Sequence, residues 1–177
     1  MSWLLPVLAA AGLLLAPDHA AGSEEYFIIG PSMGMVHGPG IGSAAVATVD
    51  ASFGLHLEDE HSWLRPPKYS MLFWASGGAR LWVRDQVTAI PYVEAGMFVY
   101  LNVGGGYGYL LGGDHPARHT AHLFVGAPLM PALAFWGMKW KGLLIEPYYR
   151  PTWTLGEGGG DTFHEWGILV KYVFGEI

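Results

Sequence analysis

The chain has 177 residues, no cysteine, a formal charge of −6, and only 14% Lys, Arg, Asp and Glu against 51% apolar residues. Twenty-six glycines and a high aromatic content complete the composition. It excludes a disordered chain, a disulfide scaffold and a basic nucleic-acid binder, so no nucleic-acid partner is expected.

Residues 1–22 have the pattern of a signal peptide. An apolar run covers positions 3–16, and small residues follow at Ala20, Ala21 and Gly22. The run is shorter than the roughly 20 residues a spanning helix needs, and Pro6 interrupts it. The amino-terminal region carries no Lys or Arg, and the absence of cysteine excludes a lipoprotein anchor. One domain is expected over residues 23–177.

That domain alternates with period two, the periodicity of strands with two different environments. Eight segments show it: 25–37, 45–57, 69–83, 92–101, 102–112, 121–129, 143–153 and 164–174. In 25–37, Phe27, Ile29, Pro31, Met33 and Met35 oppose Gly30, Ser32 and Gly34. In 45–57, Ala45, Ala47, Val49, Ala51, Phe53 and Leu55 oppose Val46, Thr48, Asp50, Ser52 and Gly54. In 69–83, Phe73, Ala75, Ala79 and Leu81 oppose Ser76, Gly78 and Arg80. The segment 92–101 sets Val93, Ala95 and Met97 against Glu94 and Gly96, and 102–112 is Gly-rich. In 121–129, Leu123 and Val125 oppose His122, Phe124 and Gly126; in 143–153, Leu143, Ile145 and Tyr149 oppose Glu146, Tyr148 and Arg150. The last segment sets Trp166, Ile168, Val170, Tyr172 and Phe174 against Glu165, Gly167 and Lys171.

Turn signals lie between these segments at 38–40, 58–68, 84–86, 112–119, 137–142 and 156–161. Pro31, Pro128 and Pro151 fall inside segments, where each removes a ladder hydrogen bond and so marks a bulge or a strand end. Residues 119–138 carry no formal charge, but their prolines, glycines and alternation oppose a membrane helix.

The greasy face is nearly unbroken by charge, and the other face is small and polar. Soluble barrels point the apolar face inward; membrane barrels invert this. Aromatics near segment ends suit two interfacial girdles: Tyr26, Phe27, Trp82, Tyr92, Trp136, Trp140, Trp153, Tyr172 and Phe174. The expected fold is all-β, an eight-stranded antiparallel up-and-down transmembrane barrel, with a soluble lipocalin-like ligand-binding barrel as the alternative.

The segment 165–174 (EWGILVKYVF) alternates and closes on an aromatic, and Pro91-Tyr92-Val93-Glu94-Ala95-Gly96 forms a strand opening. In these features the chain resembles the small outer-membrane β-barrels of the OmpA/OmpX-like class. The resemblance is one of pattern over residues 25–174. It implies an outer-membrane location, lipid as surroundings, and recognition of the last strand by the barrel-assembly machinery. The opening at 91–96 is also similar to lipid A deacylases, which carry His-x-Ser. No His-x-Ser occurs here, so no catalytic role carries over.

The expected interior charge network comprises Asp50, Arg80, Glu94, Glu146, Arg150, Glu165 and Lys171, a mixed set that can satisfy itself. His164 and Glu165, with a serine such as Ser52 or Ser76, are the candidates for a lipid-modifying hydrolase or binding site. Neighbours on a strand face opposite sides, which counts against them. His119 and His122 face opposite sides for the same reason, so with His115 they make no metal site unless they lie in a loop. No metal or cofactor is expected. Residues 104–108 (GGGYG) lack the Lys-Ser/Thr of a phosphate loop and point to small interior residues. An eight-stranded barrel is too narrow for a solute pore. The leading expectation is a structural or envelope-interaction role without catalysis.

Overall fold

A computed structural model describes residues 23–58, 70–98, 101–113, 116–129, 142–156 and 160–174. The signal-peptide expectation for 1–22, Trp136, Trp140, His115 and nearly all of the polar connection 58–68 lie outside these residues.

Eight strands form one closed barrel: β1 Ser23–Gly38, β2 Gly42–Glu58, β3 Ser70–Val83, β4 Val87–Phe98, β5 Asn102–Gly112, β6 Arg118–Gly126, β7 Gly142–Leu155 and β8 Thr162–Phe174. Every sequential pair is antiparallel, and β1 closes the barrel against β8. Closure leaves no unpaired edge, the condition for a sheet to exist in hydrocarbon. The strands run from 9 to 17 residues; a tilted membrane strand needs about 9–11.

β4 starts five residues before the expected boundary at 92. Thr88 and Ile90 both point inward, and Ile90 enters an apolar layer. The polar inner face that marked the other strands is interrupted there by Ile90. β6 is shifted toward the amino terminus, from 121–129 to Arg118–Gly126. Pro128 lies beyond it, and Ala127 and Leu129 still donate backbone bonds to Pro147 and Ile145.

The prolines inside strands do not make bulges. The β1–β8 ladder pairs Ile29 with Tyr172, skips Gly30 and Pro31, and resumes at Ser32 with Leu169 in the same register. β4–β5 skips Ile90 and Pro91, and β6–β7 skips the positions of Arg150 and Pro151, again without a shift. Pro lacks the N–H that a ladder needs. Each interruption is a gap in pairing with no inserted residue, and the strand count stays at eight.

The alternation has the inside-out sense. Met33 is 72% exposed and Val49 64%, while Arg80 and Glu165 are fully buried. Outward positions Trp166, Ile168, Val170, Tyr172 and Phe174 span about 26 Å along β8 at roughly 3.3 Å per residue. A soluble lipocalin-like barrel would show the reverse polarity.

Two rims bound this wall. The near rim holds the start of β1 and the end of β8; the far rim holds the opposite strand ends. Near-rim aromatics are Phe27, Phe73, Tyr172 and Phe174, with Phe27 and Phe174 in ring contact at 6.2 Å. Tyr109, Tyr149, Trp153 and Trp166 lie toward the far rim. Three residues expected in the girdles are instead interior: Tyr26, Trp82 and Tyr92 are 2%, 1% and 5% exposed. Alternation places each on the axial side of its strand, and closeness to a strand end does not change that.

The connections are asymmetric. At the far rim they have three, three, five and six residues, whereas at the near rim eleven separate β2 from β3, three separate β4 from β5 and fifteen separate β6 from β7. Outer-membrane barrels place short turns in the periplasm and longer loops outside. Here that rule and a periplasmic Ser23 cannot both hold.

Replacing outward Ile168 by Arg puts a charge against acyl chains, and should destabilise the barrel by about 2–4 kcal/mol if that position lies near the bilayer midplane. Urea unfolding in lipid vesicles checks this. An unchanged midpoint would mean that position 168 does not face the hydrocarbon core of the bilayer.

Candidate functional site

The axis is layered. At the far rim, Val36, Ala44, Val46, Trp82, Ile90, Leu110 and Phe163 form an apolar plug, with the Trp82 and Phe163 rings 4.9 Å apart. Toward the near rim, Tyr26, Ile28, Leu144 and Val173 form a second, backed by Phe98. Trp74, Phe124, Tyr148 and Leu169 line the wall between them. The ionised side chains lie between the two plugs.

Arg150 on β7 is the centre of this layer. Its Nη1 donates to Glu165 Oε1 at 2.9 Å, and its Nη2 reaches both Glu94 oxygens at 3.2 Å. The rings of Phe124, Tyr148 and Tyr92 pack within 5.1–5.4 Å of its guanidinium carbon. Glu165 also accepts from Tyr148 OH at 2.9 Å and Trp82 Nε1 at 3.4 Å, and pairs with Arg80 at 3.5 Å. Glu94 accepts from Ser76 Oγ at 3.2 Å. Lys171 and Asp50 form a separate pair at 2.6 Å, and Tyr92 OH donates to the same Asp50 carboxylate at 2.9 Å.

His122 joins the network in a defined tautomer. Arg80 Nη2 lies 3.1 Å from its Nδ1, and Glu94 Oε2 lies 3.0 Å from its Nε2. Guanidinium only donates and carboxylate only accepts. Nδ1 therefore accepts, Nε2 carries the proton, and the imidazole is neutral. Gly106 makes the room: a Cβ there would lie 2.6 Å from Glu94 Cβ and 2.7 Å from His122 Nε2. Gly104 and Gly96 give way in the same manner to the Trp74 ring. The run Gly104-Gly105-Gly106-Tyr107-Gly108 thus supplies interior space.

All seven residues expected in the network are buried. Glu146 differs from the rest. Its Oε2 accepts from Asn102 Nδ2 at 3.4 Å, but Oε1 has no hydrogen-bond partner among the described residues. With His122 neutral, three cations (Arg80, Arg150 and Lys171) face four carboxylates, and Glu146 is the one without a paired cation in this set.

The hydrolase candidates do not assemble. His164 lies outside, its Nδ1 2.6 Å from Tyr149 OH, while Glu165 points to the axis. Ser52 and Ser76 are interior. The outer wall does hold a Ser–His contact, Ser43 Oγ to His37 Nδ1 at 3.1 Å. Sequence spacing alone did not reveal it, since it depends on the register of the β1–β2 hairpin. No carboxylate contacts it among the described residues. His119 stacks outside on Tyr107 and meets a tilted Tyr109 ring, with ring centroids 5.6 and 4.8 Å away. His122 is inside, so the two histidines cannot share a ligand.

No protein-family model matches the chain, and no curated protein matches it. Among solved structures it is similar to Ail, the attachment invasion locus protein of Yersinia pestis. That match has 11% identity, 88% coverage of this chain, 100% of the other and a TM-score of 0.28. A second structure of Ail, in complex with the heparin analogue sucrose octasulfate, matches with 12% identity, 86% and 99% coverage and a TM-score of 0.28.

Arg150→Met leaves Glu94 and Glu165 without their shared cation. Breaking such a buried pair costs about 3–5 kcal/mol. Glu146→Gln removes no paired charge and should cost no more than about 1 kcal/mol, the scale of one ordinary hydrogen bond. Unfolding midpoints of the two variants in vesicles should differ accordingly; equal losses would contradict the hub role of Arg150.

Proposed function

We propose that the protein is an integral outer-membrane barrel with a structural or envelope-interaction role, and that it conducts no solutes. One observation carries this reading: an apolar outer wall encloses an axis filled by paired charges between two apolar plugs. Lipid is the solvent such a wall suits. A filled axis leaves the rims and the outer surface as the places where other envelope components can be met. Residues 1–22 direct export, and the aromatic-ended strand 165–174 is the segment that the barrel-assembly machinery engages. A lipid-modifying hydrolase is less well supported, since its proposed histidine lies on the outer face while its serine and carboxylate lie inside.

Two measurements test the reading together. The protein should remain with outer-membrane fragments after a carbonate wash and should migrate differently on a gel before and after heating. Purified barrel in planar bilayers should give no stepwise conductance. Release by carbonate would end the membrane reading, and sustained conductance steps would end the non-conducting one.

A further inference from the structure

The outer wall at the far rim carries a row of side chains across four strands that the axial network does not use. Ser43 on β2 is the ladder partner of His37 on β1, and His37 is the ladder partner of His164 on β8. Tyr149 on β7 completes the row through its hydroxyl. The two histidines are exposed. They stand just beyond Met35 and Trp166, which are the last large apolar residues on the outer face of β1 and β8 toward this rim.

The hydrogen bonds fix which ring edges remain available. His37 turns Nδ1 toward Ser43, on the β2 side. His164 turns Nδ1 toward Tyr149, on the β7 side. Each histidine thus directs Nδ1 away from the other. The opposite edge of an imidazole carries Cδ2 and Nε2, so both Nε2 edges are turned toward the β1–β8 seam. Directly opposed residues in an antiparallel ladder have Cβ atoms about 4.5–5.5 Å apart. Two imidazoles so placed can swing onto one ion at the Zn–N distance of about 2.0–2.1 Å. Serine and tyrosine hydroxyls can accept from Nδ1–H, which is the arrangement that holds a metal-bound histidine in the Nε2-coordinating tautomer.

We propose that His37 and His164 form a two-histidine clamp for a divalent metal ion of the Zn²⁺, Ni²⁺ or Cu²⁺ class, with water in the remaining positions, stapling the first strand to the last. Imidazole suits these ions, whereas Mg²⁺ and Ca²⁺ prefer oxygen ligands. The seam gives the clamp something to do. Its ladder is interrupted at Gly30 and Pro31, so the closing contact lacks part of the backbone pairing that β1 makes with β2. An ion held across it binds the closed barrel, with both imidazoles in place, more tightly than the unfolded chain, and so raises the unfolding midpoint by mass action.

The test uses the full barrel refolded in detergent at neutral pH. Added ZnCl₂ should raise the urea midpoint of the unmodified protein. The shift should vanish in His37→Ala and in His164→Ala, and persist in His119→Ala, which alters a histidine on β6. Tyr149→Phe should weaken the apparent Zn²⁺ affinity about 10- to 100-fold while keeping the shift at saturation. Cu²⁺ bound to the unmodified protein should show coupling to two imidazole nitrogens by electron paramagnetic resonance, a readout that requires no variant to fold. The clamp is overturned by equal Zn²⁺ shifts in the His37 and His164 variants and the unmodified protein, by loss of the shift in His119→Ala alone, or by coupling to a single nitrogen.

Discussion

Arg150 bridges Glu94 and Glu165 on the barrel axis, and the rest of the structure is arranged around keeping that bridge paired and dry. Removing these groups from water is expensive, and their mutual attraction offsets the expense only when the remaining lone pairs and protons are also satisfied. The neighbours do this one by one: Ser76 and His122 on Glu94, Tyr148, Trp82 and Arg80 on Glu165. The apolar layers above and below close the axis at both ends. Glycines on β5 give the network its volume. In turn, a wall that sends Asp50, Arg80, Glu94, Glu146, Arg150, Glu165 and Lys171 inward is free to be apolar outside, which is what a lipid environment requires.

Much of this was legible in the sequence because period two is imposed by the strand itself. Glu94, Arg150 and Glu165 each alternate with residues of the greasy face such as Val93, Tyr149 and Trp166, so their side of the wall followed once the solvent of the other side was chosen. The choice rested on the scarcity of charge and on the near-continuity of the greasy face. The closed fold adds what no single strand contains. Which carboxylate meets which guanidinium depends on register between strands far apart in the chain, as between Arg80 and Glu165.

The failures have the same origin. Trp82, Tyr92 and Tyr26 looked like girdle residues from their positions near strand ends, but an eight-stranded barrel also needs large rings to fill its axis. The first residues of β4 fell outside the expected segment because Ile90 belongs to an apolar plug and interrupts the polar alternation. The contact of His37 with Ser43 and the facing of His37 and His164 were invisible before pairing was known, since the latter joins the two ends of the barrel. The prolines were expected to mark bulges or strand ends; Pro128 does lie past the end of β6, but at Pro31 and Pro151 the ladders resume in unchanged register, because the other ladder of each strand is continuous across the two-residue gap.

Inside-out polarity is most directly tested by site-directed spin labelling, for which the absence of native cysteine makes every introduced thiol unique. Nitroxides placed singly at positions 166 through 173 of the barrel in lipid vesicles should alternate. Even positions should be relaxed strongly by oxygen dissolved in the acyl region and weakly by an aqueous nickel chelate, while odd positions should be shielded from both. Oxygen accessibility at the odd positions, or uniform access to the aqueous reagent, would contradict a wall of Trp166, Ile168, Val170 and Tyr172 against lipid around an axis lined by Glu165 and Lys171.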